Sequence, residues 1–392
     1  MTRILFMHQT STVGGGSYCL LNIIRSLDRT IWEPLVVLKS PGPLEKELHQ
    51  LGVDVVFFPE MTGVLYNLPL SIKNLLNYWK LFRSLKPCRS MLQRERPDVV
   101  YLNNMMIAPY LKPAKELGCK TVLHVREHWP LDEHRHQLGW IRKTVYACCD
   151  TLVAINHFSA SIFPKMGSTV VYDGIDMDAR FKPMPMEDIF GEDMRGKKVL
   201  LYTGGADYIK GVDYVLQTFT QDVKGEDYRL LMLGCESFLN VGWKHRVKCI
   251  LTRLGYHYWG KELQEMADAD PRIRRIPPVY ELSDLVKQAH CFVSYFRVPH
   301  ANLTMAECII LGTPCIAADT EEAREYSDDG RYACLVTPLN DREAFAQRLK
   351  QFLDEIDQWR MAAKAGSEKL ERTFDMDENS NRLNKVLLDL RQ

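Results

Sequence analysis

The chain has 392 residues, 46% of them hydrophobic and 26% charged, with Lys+Arg and Asp+Glu both 50. That length predicts two domains, each able to bury its own core. The zero net charge gives no overall field for nucleic acid, so any charge effect must be local. No run approaches the roughly 20 apolar residues that a membrane span needs.

"RILFMHQ" opens the chain. It is too short for the core of a signal peptide and predicts a first strand. Further apolar runs follow as "EPLVVLK", "DVVFFP", "DVVYLNN", "KTVLHVR", "TLVAIN" and "STVVYDG". Most are separated by enough chain for a crossover helix, which is the rhythm of a parallel sheet covered on both faces. The rhythm breaks in "VVYDGIDMDARFKPMPMEDIFGEDMRGKK", which lacks periodicity and predicts a linker. A second series, "KVLLYTGG", "YRLLMLG", "RIRRIPPV", "HCFVSYF", "TPCIAAD" and "ACLVTP", predicts a second parallel sheet. The expected class is α/β, with an N-terminal domain over 1–176, a C-terminal domain over 177–374, and a last helix over 375–392. Two such domains in tandem predict a cleft at the carboxyl ends of their sheets, where open α/β sheets bind ligands.

The eleven cysteines form no CxxC pair, and Cys291 and Cys315 lie inside apolar runs. They predict buried free thiols in a reducing compartment, hence a cytoplasmic protein that at most lies on the inner face of a membrane.

Four segments carry candidate chemistry. "STVGGGSYC" puts Gly14, Gly15 and Gly16 between the first strand and a helix. Glycines there let a ligand approach the backbone, and the helix start offers free amides to an anion; a plain tight turn is the alternative. "YTGGADYIKGVDYVLQTF" repeats the arrangement with Gly204, Gly205 and Lys210. A lysine beside a helix N-terminus opposes the dipole unless an anion sits between them; a solvent-facing lysine is the alternative. "NLTMAECIILG" predicts a helix starting near Asn302 or Thr304. Glu307 in its first turns could accept hydrogen bonds from two vicinal ribose hydroxyls, or merely favour the dipole. "HVREHWPLDEHRH" clusters His124, His128, His134 and His136 around Arg126 and Glu127. Its spacing matches no zinc pattern, so no metal is assigned and the segment is expected to line the cleft.

In this order and spacing the pieces resemble the family 4 glycosyltransferases, retaining enzymes with the two-domain GT-B fold, over nearly the whole chain. "VVYDGIDMDARF" resembles the family's interdomain "NGID…F" segment, "YTGGADYIKG" its "GR…KG" segment, and "MAECIILGTPCIAAD" its "EAMACGTPVIA" segment. The resemblance implies a hexosyltransferase-type enzyme using a nucleotide-diphosphate sugar as co-substrate, with no cofactor and no essential metal. It assigns Lys210 to the diphosphate, Glu307 to the ribose, the amides of Asn302, Leu303 and Thr304 to a phosphate, and Val279 to the base. Gly204 and Gly205 would form the phosphate turn, Gly15 and Gly16 would approach the donor from the N-terminal side, and the last helix, 375–392, would pack back on the first domain. Arg126, Glu127 and Lys210 would form the catalytic set, with closure of the cleft excluding water. The sequence departs from the family at three places. Gly205 stands where an arginine is usual, with Arg297 the expected substitute cation. Pro299, followed by His300, stands at the first of two glutamates, and Arg126 stands at a histidine. A sugar-nucleotide epimerase and a non-catalytic nucleotide-binding relative remain alternatives.

"NLPLSIKNLLNYWKLFRSLKPCRSMLQRERPD" is strongly basic: Lys73, Lys80, Arg83, Lys86, Arg89 and Arg94 precede its first acid, Glu95. Apolar and aromatic residues interleave at helical spacing. Residues 68–96 therefore suit an anionic membrane surface or a lipid-diphosphate acceptor; a helix packed on the N-terminal sheet with a solvated basic face is the alternative. The acceptor is expected to be a saccharide or a lipid-linked sugar of cell-surface polysaccharide, bound mostly by the N-terminal domain.

Overall fold

A computed structural model describes residues 1–12, 14–64, 72–129, 135–176, 183–239, 258–279 and 281–391. The chain divides into two compact units, Met1–Gly174 with Phe374–Gln392, and Ile175–Thr373.

The first unit holds β1 (Thr2–His8), β2 (Trp32–Leu38), β3 (Asp54–Phe57), β4 (Val99–Leu102), β5 (Lys120–Val125), β6 (Thr151–Ala154) and β7 (Ser168–Val170). Their spatial order is β3-β2-β1-β4-β5-β6-β7, with every pairing parallel. Alternate residues of each strand point to opposite faces. Leu5, Met7, Val100 and Leu102 enter one apolar cluster, while Ile4, Phe6, Val99 and Tyr101 enter another. Burial on both faces explains why these strands appear in the sequence as continuous apolar runs.

The helix Met376–Arg391 belongs to this unit. Leu383, Leu387 and Leu390 join the cluster that holds Ile4, Phe6, Leu20 and Trp32. Asn384 donates to the Ser26 carbonyl at 2.9 Å. A Cβ on Gly174 would stand 2.5 Å from the Met376 Cα, so the close approach of these two stretches requires glycine.

The second unit holds β8 (Lys198–Tyr202), β9 (Tyr228–Leu233), β10 (Ile273–Ile276), β11 (Cys291–Val293), β12 (Cys315–Ala318) and β13 (Cys334–Val336). Their order is β10-β9-β8-β11-β12-β13, again all parallel. Each sheet reverses its strand order once, between β1 and β4 and between β8 and β11. Loops leave the sheet in opposite directions at such a point and open a crevice at the carboxyl ends of the strands.

The linker expectation needs correction. The described part of that segment is packed on the second unit, not free. The Met184 amide donates to Asp284 Oδ2 at 2.8 Å and the Met186 amide to Gln288 Oε1 at 3.1 Å. A short helix follows over Met186–Phe190, with Met186 and Phe190 buried. Tertiary hydrogen bonds order a stretch whose local pattern carries no period. Residues 177–182 of it lie outside the described residues. Every cysteine among the described residues is a free thiol, most of them buried. No helix among the described residues is long and apolar enough to cross a membrane.

Candidate functional site

In the second unit the loops after β8, β9, β10 and β11 leave neighbouring strands at their carboxyl ends. Thr203 Oγ1, just after β8, donates to Thr304 Oγ1 at 3.2 Å, which joins the glycine turn to the start of the helix Leu303–Ile310. Gly204 and Gly205 are explained by their surroundings. A Cβ on Gly204 would fall 2.1 Å from the Tyr202 hydroxyl, and Gly205 has φ +69°. Tyr202 donates from that hydroxyl to the Gly205 carbonyl at 3.1 Å and lies 3.3 Å from the Lys210 carbonyl. Gly205 packs against Gly234, after β9, and Gly234 is next to Pro278. Val279, one residue further, is half-buried beside this turn. Gly205 takes a left-handed backbone, which glycine adopts without steric cost.

Lys210 ends a short 3-10 turn, Tyr208–Lys210, capped by the Asp207 carboxylate, which accepts from the Ile209 amide at 3.0 Å. The Lys210 ammonium lies 6.0 Å from the centre of the Phe296 ring. It forms no ion pair or hydrogen bond among the described residues, and burial lowers its proton affinity. On the helix Leu303–Ile310, Asn302 is the cap. Its Oδ1 accepts from the Met305 amide at 3.3 Å while its Nδ2 donates to Ser294 Oγ at 3.0 Å. The amides of Leu303 and Thr304 are left at the half-buried start of this helix, where no intrahelical acceptor exists. Glu307, in the second turn, is half-buried. Its carboxylate has no hydrogen-bond partner among the described residues, and burial pushes it up to about 7.

Arg297 is not the substitute cation that the sequence suggested. Its guanidinium lies between the rings of Tyr208 and Tyr214, 3.9 Å and 4.1 Å from their centres. Nη2 donates to Asp213 at 2.8 Å and Nη1 to the Tyr208 carbonyl at 3.0 Å. The Arg297 amide donates to the Ile209 carbonyl at 2.8 Å. The residue is 8% exposed, so its charge is spent inside the protein, fastening the turn that carries Lys210.

In the first unit, Gly14 caps the helix Gly15–Ser26 with φ −158°. None of Gly14, Gly15 and Gly16 adopts a positive φ. A Cβ on Gly14 or Gly15 would meet no protein atom within 4 Å. Packing among the described residues therefore leaves the backbone at Gly14 and Gly15 open. The turn is held by residues that sequence reasoning missed. His8, at the end of β1 and 4% exposed, accepts at Nδ1 from Asn103 Nδ2 at 3.1 Å. Asn103 Nδ2 also donates to the Gly16 carbonyl at 3.3 Å, which fixes the amide's orientation. Ser17 Oγ donates to the Thr12 carbonyl at 2.7 Å, so His8 Nε2 donates to Ser17 at 3.0 Å. Burial, aided by the Arg126 charge, lowers His8 to about 4 and keeps it neutral. Polar residues closing an apolar strand, "MHQ" and "YLNN", are the signal for this cluster.

Arg126 follows β5 and donates both bonds of Nη2 to the Asp173 carboxylate, at 2.5 Å and 2.6 Å. Glu127 accepts from the Met105 amide at 2.7 Å and from the Arg126 amide at 3.3 Å. Burial outweighs these donors and pushes its carboxyl up to about 7. His124 is fully buried against the Tyr101 hydroxyl at 2.7 Å, and His128 stacks on Phe158. His134 lies outside the described residues.

Residues 14–170 match the family model described as "Glycosyl transferase 4-like domain", and residues 197–355 match "Glycosyl transferases group 1". The chain belongs to the family 4 glycosyltransferases. This glycosyltransferase resembles the crystal structure of Anabaena Alr3699/HepE in complex with UDP-glucose, with TM-score 0.72 and 16% identity over 99% of this chain and 100% of that one. It also resembles a glycosyltransferase from Rickettsia africae, with TM-score 0.70 and 15% identity over 100% and 99% of the two chains. At such identity the likeness establishes the GT-B fold. A Staphylococcus epidermidis enzyme, UDP-N-acetylglucosamine--N-acetylmuramyl-(pentapeptide) pyrophosphoryl-undecaprenol N-acetylglucosamine transferase, is 22% identical over 240 residues. That match covers 59% of this glycosyltransferase and 62% of the relative, less than two thirds of its length.

Proposed function

We propose that this glycosyltransferase retains anomeric configuration and moves a hexose from a UDP- or GDP-type sugar to a saccharide or lipid-linked acceptor of cell-surface polysaccharide. One observation carries the reading: among the described residues two groups that follow the carboxyl ends of β8 and β11, the Lys210 ammonium and the Glu307 carboxylate, have no ion-pair or hydrogen-bond partner. A diphosphate beside Lys210 and the free amides of Leu303 and Thr304 removes the first imbalance. A ribose diol donating to Glu307 removes the second. Gly204 and Gly205 shape the phosphate turn, Asn302 caps the helix, and Val279 packs near the base. The UDP-glucose held by the Anabaena protein supports the donor class, and the undecaprenol-linked acceptor in the Staphylococcus enzyme's name supports the acceptor class.

In this mechanism Lys210 and the helix amides offset charge growing on the departing diphosphate, preorganised before the reaction begins. The acceptor hydroxyl attacks on the face the diphosphate leaves, and a phosphate oxygen takes its proton. No protein nucleophile, cofactor or essential metal takes part. The open glycine turn at Gly15 and Gly16 offers its amides to an anion. The acceptor binds mainly to the first unit, where Glu127 can hold or release a proton near neutrality and Arg126, braced by Asp173, fixes the end of β5.

Thermal shift against nucleoside diphosphates and their sugars tests the reading, since a ligand that binds only the folded protein raises its melting temperature. UDP or GDP should stabilise the protein, and its sugar should be hydrolysed slowly without acceptor. Lys210→Ala should remove most of the ligand shift while leaving the ligand-free melting temperature nearly unchanged, because the ammonium has no ion-pair or hydrogen-bond partner among the described residues. No response to any nucleotide would end the donor assignment. Rapid loss of the sugar's configuration without transfer would favour an epimerase.

A further inference from the structure

The helix Ile72–Glu95 has two apolar faces. Leu81, Cys88, Met91 and Leu92 are buried in the core of the first unit. On the opposite side Ile72, Leu75, Leu76, Trp79 and Phe82 are 79%, 56%, 55%, 53% and 53% exposed. At 3.6 residues per turn these five positions share an arc of about 120° and a length of about 15 Å. They are five of the eleven large hydrophobic side chains exposed anywhere among the described residues. A contiguous exposed stripe of this kind marks a contact surface, not ordinary surface scatter.

Along the helix, the charge beside the stripe has one sign. Lys73, Lys80, Arg83 and Lys86 are exposed on the helix, and no acid occurs on it before Glu95. Arg89 is set apart by its ion pair with Glu116, at 2.8 Å. Arg83 stacks over the Trp79 ring at 4.5 Å, so a cation and an amphipathic aromatic share one position along the stripe. Phe82 touches Trp140 edge-on at 5.7 Å, which anchors the C-terminal end of the stripe to the body of the unit.

We infer that this stripe docks the enzyme on an anionic lipid bilayer, with Leu75, Leu76 and Trp79 entering the headgroup–acyl boundary and Lys80, Arg83 and Lys86 reaching lipid phosphates. An apolar face rimmed by cations, with tryptophan at the boundary, matches the chemistry of that interface. A second protein surface would need a matching acidic rim. The inference deepens the lipid-linked acceptor reading and rests on it for its purpose: the helix brings the first unit to the membrane that holds such an acceptor. It concerns residues 72–86; residues 68–71 lie outside the described residues.

The test is co-sedimentation of the full chain, without nucleotide or acceptor, with phosphatidylcholine vesicles lacking or containing phosphatidylglycerol. Binding to the anionic vesicles should exceed binding to the neutral ones by about tenfold or more, and raised salt should reverse most of the excess. The exposed-face variant Leu75→Ser/Leu76→Ser/Trp79→Ser should lose binding to both vesicle types. Lys80→Gln/Arg83→Gln/Lys86→Gln should lose only the anionic preference. Both should keep the wild-type nucleotide thermal shift, which separates this inference from the donor assignment. Vesicle binding equal in wild type and variants would overturn it. So would a concentration-dependent dimer, without vesicle binding, that the serine variant disperses.

Discussion

Glu307 and the glycines show how differently single residues answer to function and to packing. A carboxylate without a partner is costly to half-bury, and Glu307 registers that cost as a proton affinity raised from 4.5 to about 7. The sign follows from linkage. The folded state holds the proton more tightly than the unfolded chain, so the group's contribution is favourable at low pH and is lost as pH rises through 7. Glu307→Gln should therefore stabilise the free protein at pH 8 by about 2–3 kcal/mol, and by far less at pH 4. The same variant should weaken UDP binding most above pH 7, where the wild-type carboxylate is ionised and accepts best. Denaturation curves and nucleotide titrations at the two pH values check both halves. A variant less stable at pH 8 would show that Glu307 has an internal partner. Among the glycines, Gly204 is required by the Tyr202 hydroxyl and Gly205 by its φ, whereas packing among the described residues leaves Gly14 and Gly15 open. The reason for Gly205 was not legible in the sequence, because a left-handed φ belongs to the folded backbone.

At the scale of elements, each apolar run named from the sequence forms a strand; the central strands are buried on both faces and so show continuous hydrophobicity, while the edge strands β3, β7 and β10 are only partly buried. The helix Leu303–Ile310 and its Asn302 cap were legible for a similar reason, since a cap acts over three residues. What the sequence hid was tertiary pairing. Arg297 looked available for a phosphate, yet it lies 84 residues from the Asp213 it binds. That clamp joins the loop after β11 to the turn after β8 that ends at Lys210. Breaking a buried pair by removing one partner leaves an uncompensated charge and costs about 3–5 kcal/mol. Arg297→Met should destabilise the second unit by that order. Arg297→Met/Asp213→Asn should recover much of the loss, because it removes both charges. Urea denaturation of the wild type, both single variants and the double variant closes the cycle. Losses that simply add would mean the two residues act independently.

Over the whole molecule, the apolar rhythm of the sequence stops near residue 175, where the two compact units part. The return of the last helix was inferred only through the resemblance, since local pattern shows an amphipathic helix but not the surface it meets. That surface is the cluster around Ile4, Phe6 and Trp32, where Leu387 is fully buried. The first sheet is thus finished by residues from the far end of the chain, and its stability depends on a contact that forms late in sequence but centrally in space. Leu387→Ala leaves a cavity in that cluster and should cost the first unit about 2–5 kcal/mol. The loss should be local: amides of β1 and β2 should exchange hydrogen faster, while those of β8 and β9 keep their protection and the nucleotide thermal shift persists. Hydrogen exchange with mass readout over both sheets decides it. Equal loss of protection in β8 and β9 would show that the two cores unfold as one.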